Sequence, residues 1–182
     1  ELLRYYEIHG EMLIKNGLCY PPHEVKYEQS IVAPAVNYLF QLYELTGKIL
    51  YLEEGKKQLA VLVLFNGHQP DFHMYENAVR HWDGYWFGKY KNLGDTFPHY
   101  WSSLSGVAFR EYEKITGERS YGVKAENSLR GVLSMINSDG SASCAYVYPF
   151  MVNNVRCQYA DPWANDQDWA LYYYLKEGKN YD

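Results

Sequence analysis

The chain is poor in several things, and each shortage excludes a class of protein. Cys19, Cys144 and Cys157 are its three cysteines and show no metal-ligand spacing, so neither a disulfide-built scaffold nor a thiolate metal site is expected. Cys144 and Cys157 are placed to face each other across a hairpin, where a disulfide and a pair of buried thiols are both open readings. Basic residues form no clusters, and 17 Lys and Arg stand against 22 Asp and Glu for a net charge of −5. Nucleic acid is therefore not an expected partner. No apolar run approaches the ~18 residues needed to cross a bilayer, so no membrane partner is expected either. G-x-S-x-G, P-loop and dinucleotide fingerprints are missing, which leaves esterase and nucleotide chemistry without support. The chain opens at Glu1 with neither an initiator Met nor a signal peptide, as expected of a processed product, an excised domain or a piece of a longer chain.

What the chain has in plenty is aromatic side chains: 18% of residues, including 20 tyrosines, in a length that suits a single domain over residues 1–182. Tyr and Trp join an apolar body to a polar tip, which suits a half-wet groove better than a dry core. They concentrate in Gly67–Trp101, GHQPDFHMYENAVRHWDGYWFGKYKNLGDTFPHYW, together with four of the six histidines and the acids Asp71, Glu76, Asp83 and Asp95. Side chains that all seek hydrogen-bond partners point to the floor and wall of a polar cleft.

Around that stretch the apolar residues recur at helical spacing. Helices are expected from Leu2 to Asn16, from about Ile31 to Leu45 with Pro34 in its first turn, and from Gly47 to about Leu64. The pattern returns after Trp101, with one helix ending at Thr116–Gly117 and another running to about Ile136. Thr46–Gly47 and Thr116–Gly117 lie 70 positions apart, and at that offset Ile31 meets Trp101, Leu42 meets Tyr112, Tyr51 meets Tyr121, Leu59 meets Leu129 and Leu62 meets Val132. A helix, short turn and helix at a fixed period means stacked α-hairpins. SASCAYVYP and MVNNVRCQY read as two short strands around Pro149, forming one small β-hairpin near residues 142–159. Asp161–Pro162 opens a last helix that ends near Glu177.

Tyr43-Glu-Leu-Thr-Gly47 running into Tyr51–Leu52, and Tyr112-Glu-Lys-Ile-Thr-Gly117 running into Tyr121, resemble the hairpin turns of the six-hairpin glycosidase superfamily. ENAVRHWDGYWFGKYKNLGDTFPHYWSSL and ADPWANDQDWALYYYL also resemble segments of bacterial proteins assigned to it. The resemblance covers most of residues 18–178. It implies an all-α array of α-hairpins, a partial (α/α) toroid because six hairpins close the ring and this chain supplies about three. It also implies an oligo- or polysaccharide partner, no cofactor, and the remainder of the toroid as a further partner. In such toroids the loops before the inner helices line the cleft, which here means Pro22–Ser30 and Gly94–Tyr100, with Glu28 and His99 facing one cavity.

Glycoside hydrolysis needs one carboxyl kept protonated as acid and one ionised as base or nucleophile. The candidates are Glu28, Glu76, Asp83 and Asp166, all with aromatic neighbours in sequence. Against that stand plainer readings: Glu76, Arg80 and Asp83 as ion pairs along one helix face, Glu28 as a capping acid, and Asp166 as a first-turn acid beside the cap Asp161. Trp82, Trp86 and Trp163 are candidate sugar platforms, with His81, His99 and Tyr100 beside them, whereas Trp101 falls on the apolar stripe and is expected in the core. His68, His73 and His81 lack ligand spacing, so no metal is expected. Asn77, His81 and Tyr85 recur at i, i+4 and i+8. That spacing suits the alternative chemistry of polysaccharide lyases, in which Tyr or His takes a proton next to a uronate carboxylate while Asn or Arg neutralises the acid. A non-catalytic glycan-binding or scaffold segment is the third class.

Overall fold

The computed structural model describes residues 1–18, 29–63, 95–142, 145–148, 151–152, 154–156 and 167–177. Six α-helices carry most of it: α1 (Leu2–Asn16), α2 (Gln29–Thr46), α3 (Ile49–Val63), α4 (Ser102–Thr116), α5 (Arg119–Gly131) and α6 (Gln167–Glu177). Four short strands accompany them: β1 (Asp95–His99), β2 (Ala145–Tyr148), β3 (Met151–Val152) and β4 (Val155–Arg156). The all-α hairpin array expected from the sequence is the fold observed.

The 70-residue repeat reappears bond for bond in the two turns that close the hairpins. In the first, Thr46 Oγ1 donates to Leu42 O at 2.6 Å and accepts from Lys48 N at 3.2 Å. In the second, Thr116 Oγ1 donates to Tyr112 O at 2.7 Å and accepts from Glu118 N at 3.3 Å. Gly47 and Gly117 follow with φ of 67° and 75°, and each N–H reaches back 2.7 Å to the carbonyl of Tyr43 or Glu113. One hydroxyl thus bonds a carbonyl in the last turn of one helix and an N–H just beyond it, while glycine takes the left-handed conformation without strain.

These turns send α3 back along α2 and α5 back along α4. Asn37 on α2 reaches Leu104 on α4, and further along both helices Phe40 meets Tyr112 with ring centroids 5.7 Å apart, so α2 and α4 run parallel. Ala170 near the start of α6 packs with Tyr100, while Glu177 at its end bonds Lys114 at 3.0 Å, so α6 runs the same way. The returning helices form a second layer in which α3 touches both α2 and α4, and α5 touches both α4 and α6. The central core, Val32, Val36, Phe40, Leu59, Leu62, Phe109 and Tyr112 among others, joins the two hairpins. Each large apolar side chain fully buried there contributes about 1.5–3 kcal/mol.

The structure departs from the sequence reading in several places. α2 starts at Gln29, so Pro34 stands in its second turn; the bond it withholds would have gone only to Ser30 O. Of the stripe expected along α2, Ile31, Ala35, Tyr38, Leu42 and Leu45, Ala35 and Leu42 are buried but Leu45 is 64% exposed, and the buried arc also takes in Val32, Ala33, Val36, Leu39 and Phe40. Neighbours on three sides bury α2 more widely than one stripe predicts. The helix after Thr116–Gly117 tightens into a 3-10 turn at Val132–Met135. Gly94–Tyr100, expected as a loop, contains β1. At the repeat offset Gln29 corresponds to His99, but Gln29 begins a helix and His99 ends a strand. β1 pairs antiparallel with β2, and the small hairpin expected near 142–159 is β3 with β4, turning through Asn154 at φ 62°. Among the described residues the two runs flanking Pro149 do not pair with each other. Strand pairing across some fifty residues of chain leaves no local periodicity to read. The last helix is described from Gln167, and its expected start at Asp161 lies outside the described residues.

Helices come into close contact at Gly55 on α3. A Cβ there would lie 2.6 Å from Phe40 Cε1 and 2.8 Å from its Cδ1, and Phe40 is itself fully buried. Gly55→Ala should therefore destabilise the chain by about 1–3 kcal/mol in urea melts, although alanine is the better helix former by about 1 kcal/mol. An unchanged midpoint would mean that the Phe40 ring has room to move.

Candidate functional site

Three parallel helices begin at the same end of the array. The starts of α2, α4 and α6 bring their positive dipole ends together there, an arrangement that favours negative charge. α3 runs back to finish there at Val63, and β1 leads from Asp95 into the start of α4. Glu28 directly precedes α2 and Asp166 directly precedes α6.

Glu28, Glu76, Asp83 and Asp166 lie outside the described residues, as do His81, Trp82, Trp86 and Trp163, and with them Asn77 and Tyr85. Whether Cys144 and Cys157 face each other also falls outside them. His99 is placed by its backbone, as the last residue of β1 opposite Ala145. The ladder slips one residue between Thr96 and His99, where Pro98 has no N–H to give it. Tyr100 is 8% exposed and packs with Val132, Met135 and Ala170, its ring 5.7 Å from Trp101. It is core rather than open surface, and Trp101, partly buried, packs against the same cluster.

The wall itself is built on small buried polar residues. Ser102, Ser103 and Ser105 are fully buried in the first turns of α4. Tyr100 O accepts from both Ser103 N at 3.2 Å and Ser103 Oγ at 2.9 Å, fixing the strand-to-helix corner. The sequence reading passed over this SSLS run, whose signal was a cluster of small polar residues inside an apolar stripe. It also passed over Asn37. Its Nδ2 donates to Leu104 O at 3.4 Å between α2 and α4, and no donor among the described residues reaches its buried Oδ1.

Charge chemistry among the described residues lies at the opposite, turn end. Arg110, 5% exposed, pairs with Glu113 at 2.6 Å and Glu126 at 3.7 Å. Burial and then Glu111 raise the pKa of the Glu44 carboxyl. Burial opposes the charge on Lys114, but hydrogen bonds to Glu111 and Glu177 outweigh it and raise its pKa. These ion pairs tie α4 to α6 and α5.

No protein-family model and no curated protein matches the chain. A solved structure of a polysaccharide lyase is similar to it, with 52% sequence identity, a TM-score of 0.79 and coverage of 98% of this chain. The chain spans 27% of that lyase's length. The layered hairpins fit an (α/α) toroid-type fold.

Asn37 offers a test of how dry the seam below the helix starts is. Asn37→Asp should lower stability at neutral pH by about 1–3 kcal/mol, because a carboxylate there is buried against the Leu104 carbonyl. Part of the loss should return as the pH falls and the carboxyl is protonated. Asn37→Leu should cost less, since it removes the open acceptor. Thermal melts at pH 4 and 7 decide it, and equal behaviour of the two variants would show the seam to be wet.

Proposed function

We propose that the chain forms part of a polysaccharide lyase, cleaving an acidic polysaccharide by β-elimination at the end where α2, α4 and α6 start. The observation that carries this is the 52% identity to a polysaccharide lyase across 98% of the chain. The convergence of three helix starts supports it, because a uronate carboxylate and the enolate-like charge formed from it are both stabilised by aligned N–H dipoles.

Elimination needs a base to remove the proton on the carbon next to the carboxylate. The electron pair freed there forms a carbon–carbon double bond as the bond to the leaving sugar oxygen breaks, and an acid protonates that oxygen. In this reading His81 or Tyr85 moves the protons, and Asn77 offers its amide to the substrate carboxylate. Trp82, Trp86, Trp163 and His99 form the wall that seats neighbouring sugar rings. No cofactor is required by this sequence of steps. Hydrolysis through Glu28, Glu76, Asp83 and Asp166 is the second reading; it rests on the hairpin-turn resemblance and lacks the support of a similar structure.

The product discriminates between them. On a uronate-containing polysaccharide the lyase reading predicts new chain ends that absorb in the ultraviolet, from a double bond conjugated to the carboxylate. Asn77→Ala, His81→Ala and Tyr85→Phe should each lower kcat/KM by about 10²–10⁴ with folding intact. New reducing ends without ultraviolet absorbance, abolished by Glu28→Gln or Glu76→Gln, would select hydrolysis instead.

A further inference from the structure

The far ends of α2, α4 and α6 bring three negative dipole ends together, and acidic side chains are added to them. Glu44 lies in the last turn of α2, Glu111 just before the last turn of α4, and Glu177 is the final residue of α6. All three gather about one ammonium. Lys114 Nζ donates to Glu111 Oε1 at 2.8 Å and to Glu177 Oε2 at 3.0 Å, and Glu44 feels the charges of Glu111 and Lys114. α2 has no basic residue in its last turn. Lys176, itself largely exposed, stands 3.8 Å from Glu177 Oε1. α5, which also touches α6, begins at this end with Glu118, Arg119 and Lys124, while Arg110 is engaged with Glu113 and Glu126.

α6 is thinly held apart from this junction. Among its described side chains only Ala170 and Glu177 are buried, and Tyr172 and Leu175 are 56% and 48% exposed. Ala170, with Tyr174 beside it, packs into the cluster of Tyr100, Val132 and Met135. Apolar burial therefore holds the beginning of α6, and a buried carboxylate holds its end. Glu177 is 6% exposed at a helix C-terminus, where burial and the dipole both oppose its charge. A carboxylate so placed depends on its cation. Although burial opposes the charge on Lys114, its bonds to Glu111 and Glu177 raise its pKa. The bond therefore persists through neutral pH and is lost only as the pH rises through that raised value, or falls far enough to protonate the carboxylates.

We propose that α6 opens as a unit of its own, latched to α4 through the Lys114–Glu177 bond, so that losing the bond frees α6 while α2 to α5 stay folded. The end where the helices start then presents two starts instead of three, and the latch governs how complete that end is. The proposal rests on packing and charge and is independent of the reaction proposed above.

Native-state hydrogen exchange of the 182-residue chain tests it, read as protection factors so that the pH dependence of exchange itself is removed. In the unaltered chain at pH 7, amides at 171–177 should be at least about tenfold less protected than those at 106–112 and 123–129. Lys114→Met, which keeps an apolar stem, and Glu177→Gln should each lower α6 protection about tenfold further without changing those two stretches. Lys57→Met, which removes an exposed pair within α3, should leave α6 as it was. Acid separates a charge latch from loss of packing. At pH 5 Lys114→Met should regain part of its α6 protection, because carboxylates left facing one another take up protons more readily, whereas the unaltered chain should gain none. Exchange of α6 in step with α4 and α5 in every variant would overturn the proposal. So would a loss in Lys114→Met that is the same at both pH values.

Discussion

The arrangement of the helix starts depends on how the two hairpins are locked side by side. Phe40 and Tyr112 make that lock. Their rings meet across α2 and α4, Phe40 is fully buried against Gly55 of α3, and Tyr112 stacks edge-on with Tyr121 of α5 at 4.6 Å. One aromatic chain thus links α2, α4 and α5, with Gly55 of α3 against its first ring, and it fixes α2 parallel to α4. Two ends follow from it. At one, threonine–glycine turns and ion pairs close the array. At the other, helix starts and loop attachments gather. A close-packed interior does not permit intermediate arrangements, so the site's position is set by packing well below it.

The repeat was legible because a threonine–glycine turn is local chemistry. A hydroxyl, a left-handed glycine and a pair of helical stripes all leave marks within a few residues, and Leu59 with Leu129 or Leu62 with Val132 are buried as the 70-residue offset requires. Non-local features were not legible. β1 is a strand because β2 supplies its partner, and nothing in DTFPH says so. Leu45 is exposed and Phe40 buried because α2 has neighbours on three sides, which one stripe does not encode. At Phe40 the repeat also swaps chemistry: the equivalent position is Arg110, buried with Glu113 and Glu126 in place of an aromatic ring. Of the site, the attachment points of Glu28, Asp166 and the 64–94 stretch follow from helix direction, and Tyr100 proves to be part of the core.

The proposed lyase reading asks the end with the helix starts to favour an acidic sugar without any cluster of basic side chains in the sequence. Backbone dipoles supply fixed positive ends, so a chain with net charge −5 can still favour a carboxylate at one place.

The central claim is that ligand binding belongs to the end where α2, α4 and α6 start. Hydrogen exchange with and without an acidic oligosaccharide tests it most directly. The account predicts that binding slows exchange of backbone amides at residues 29–33, 95–105 and 167–171, and leaves the turns at 46–49 and 116–119 unchanged. Protection centred on the threonine–glycine turns, with the helix starts unaffected, would contradict it.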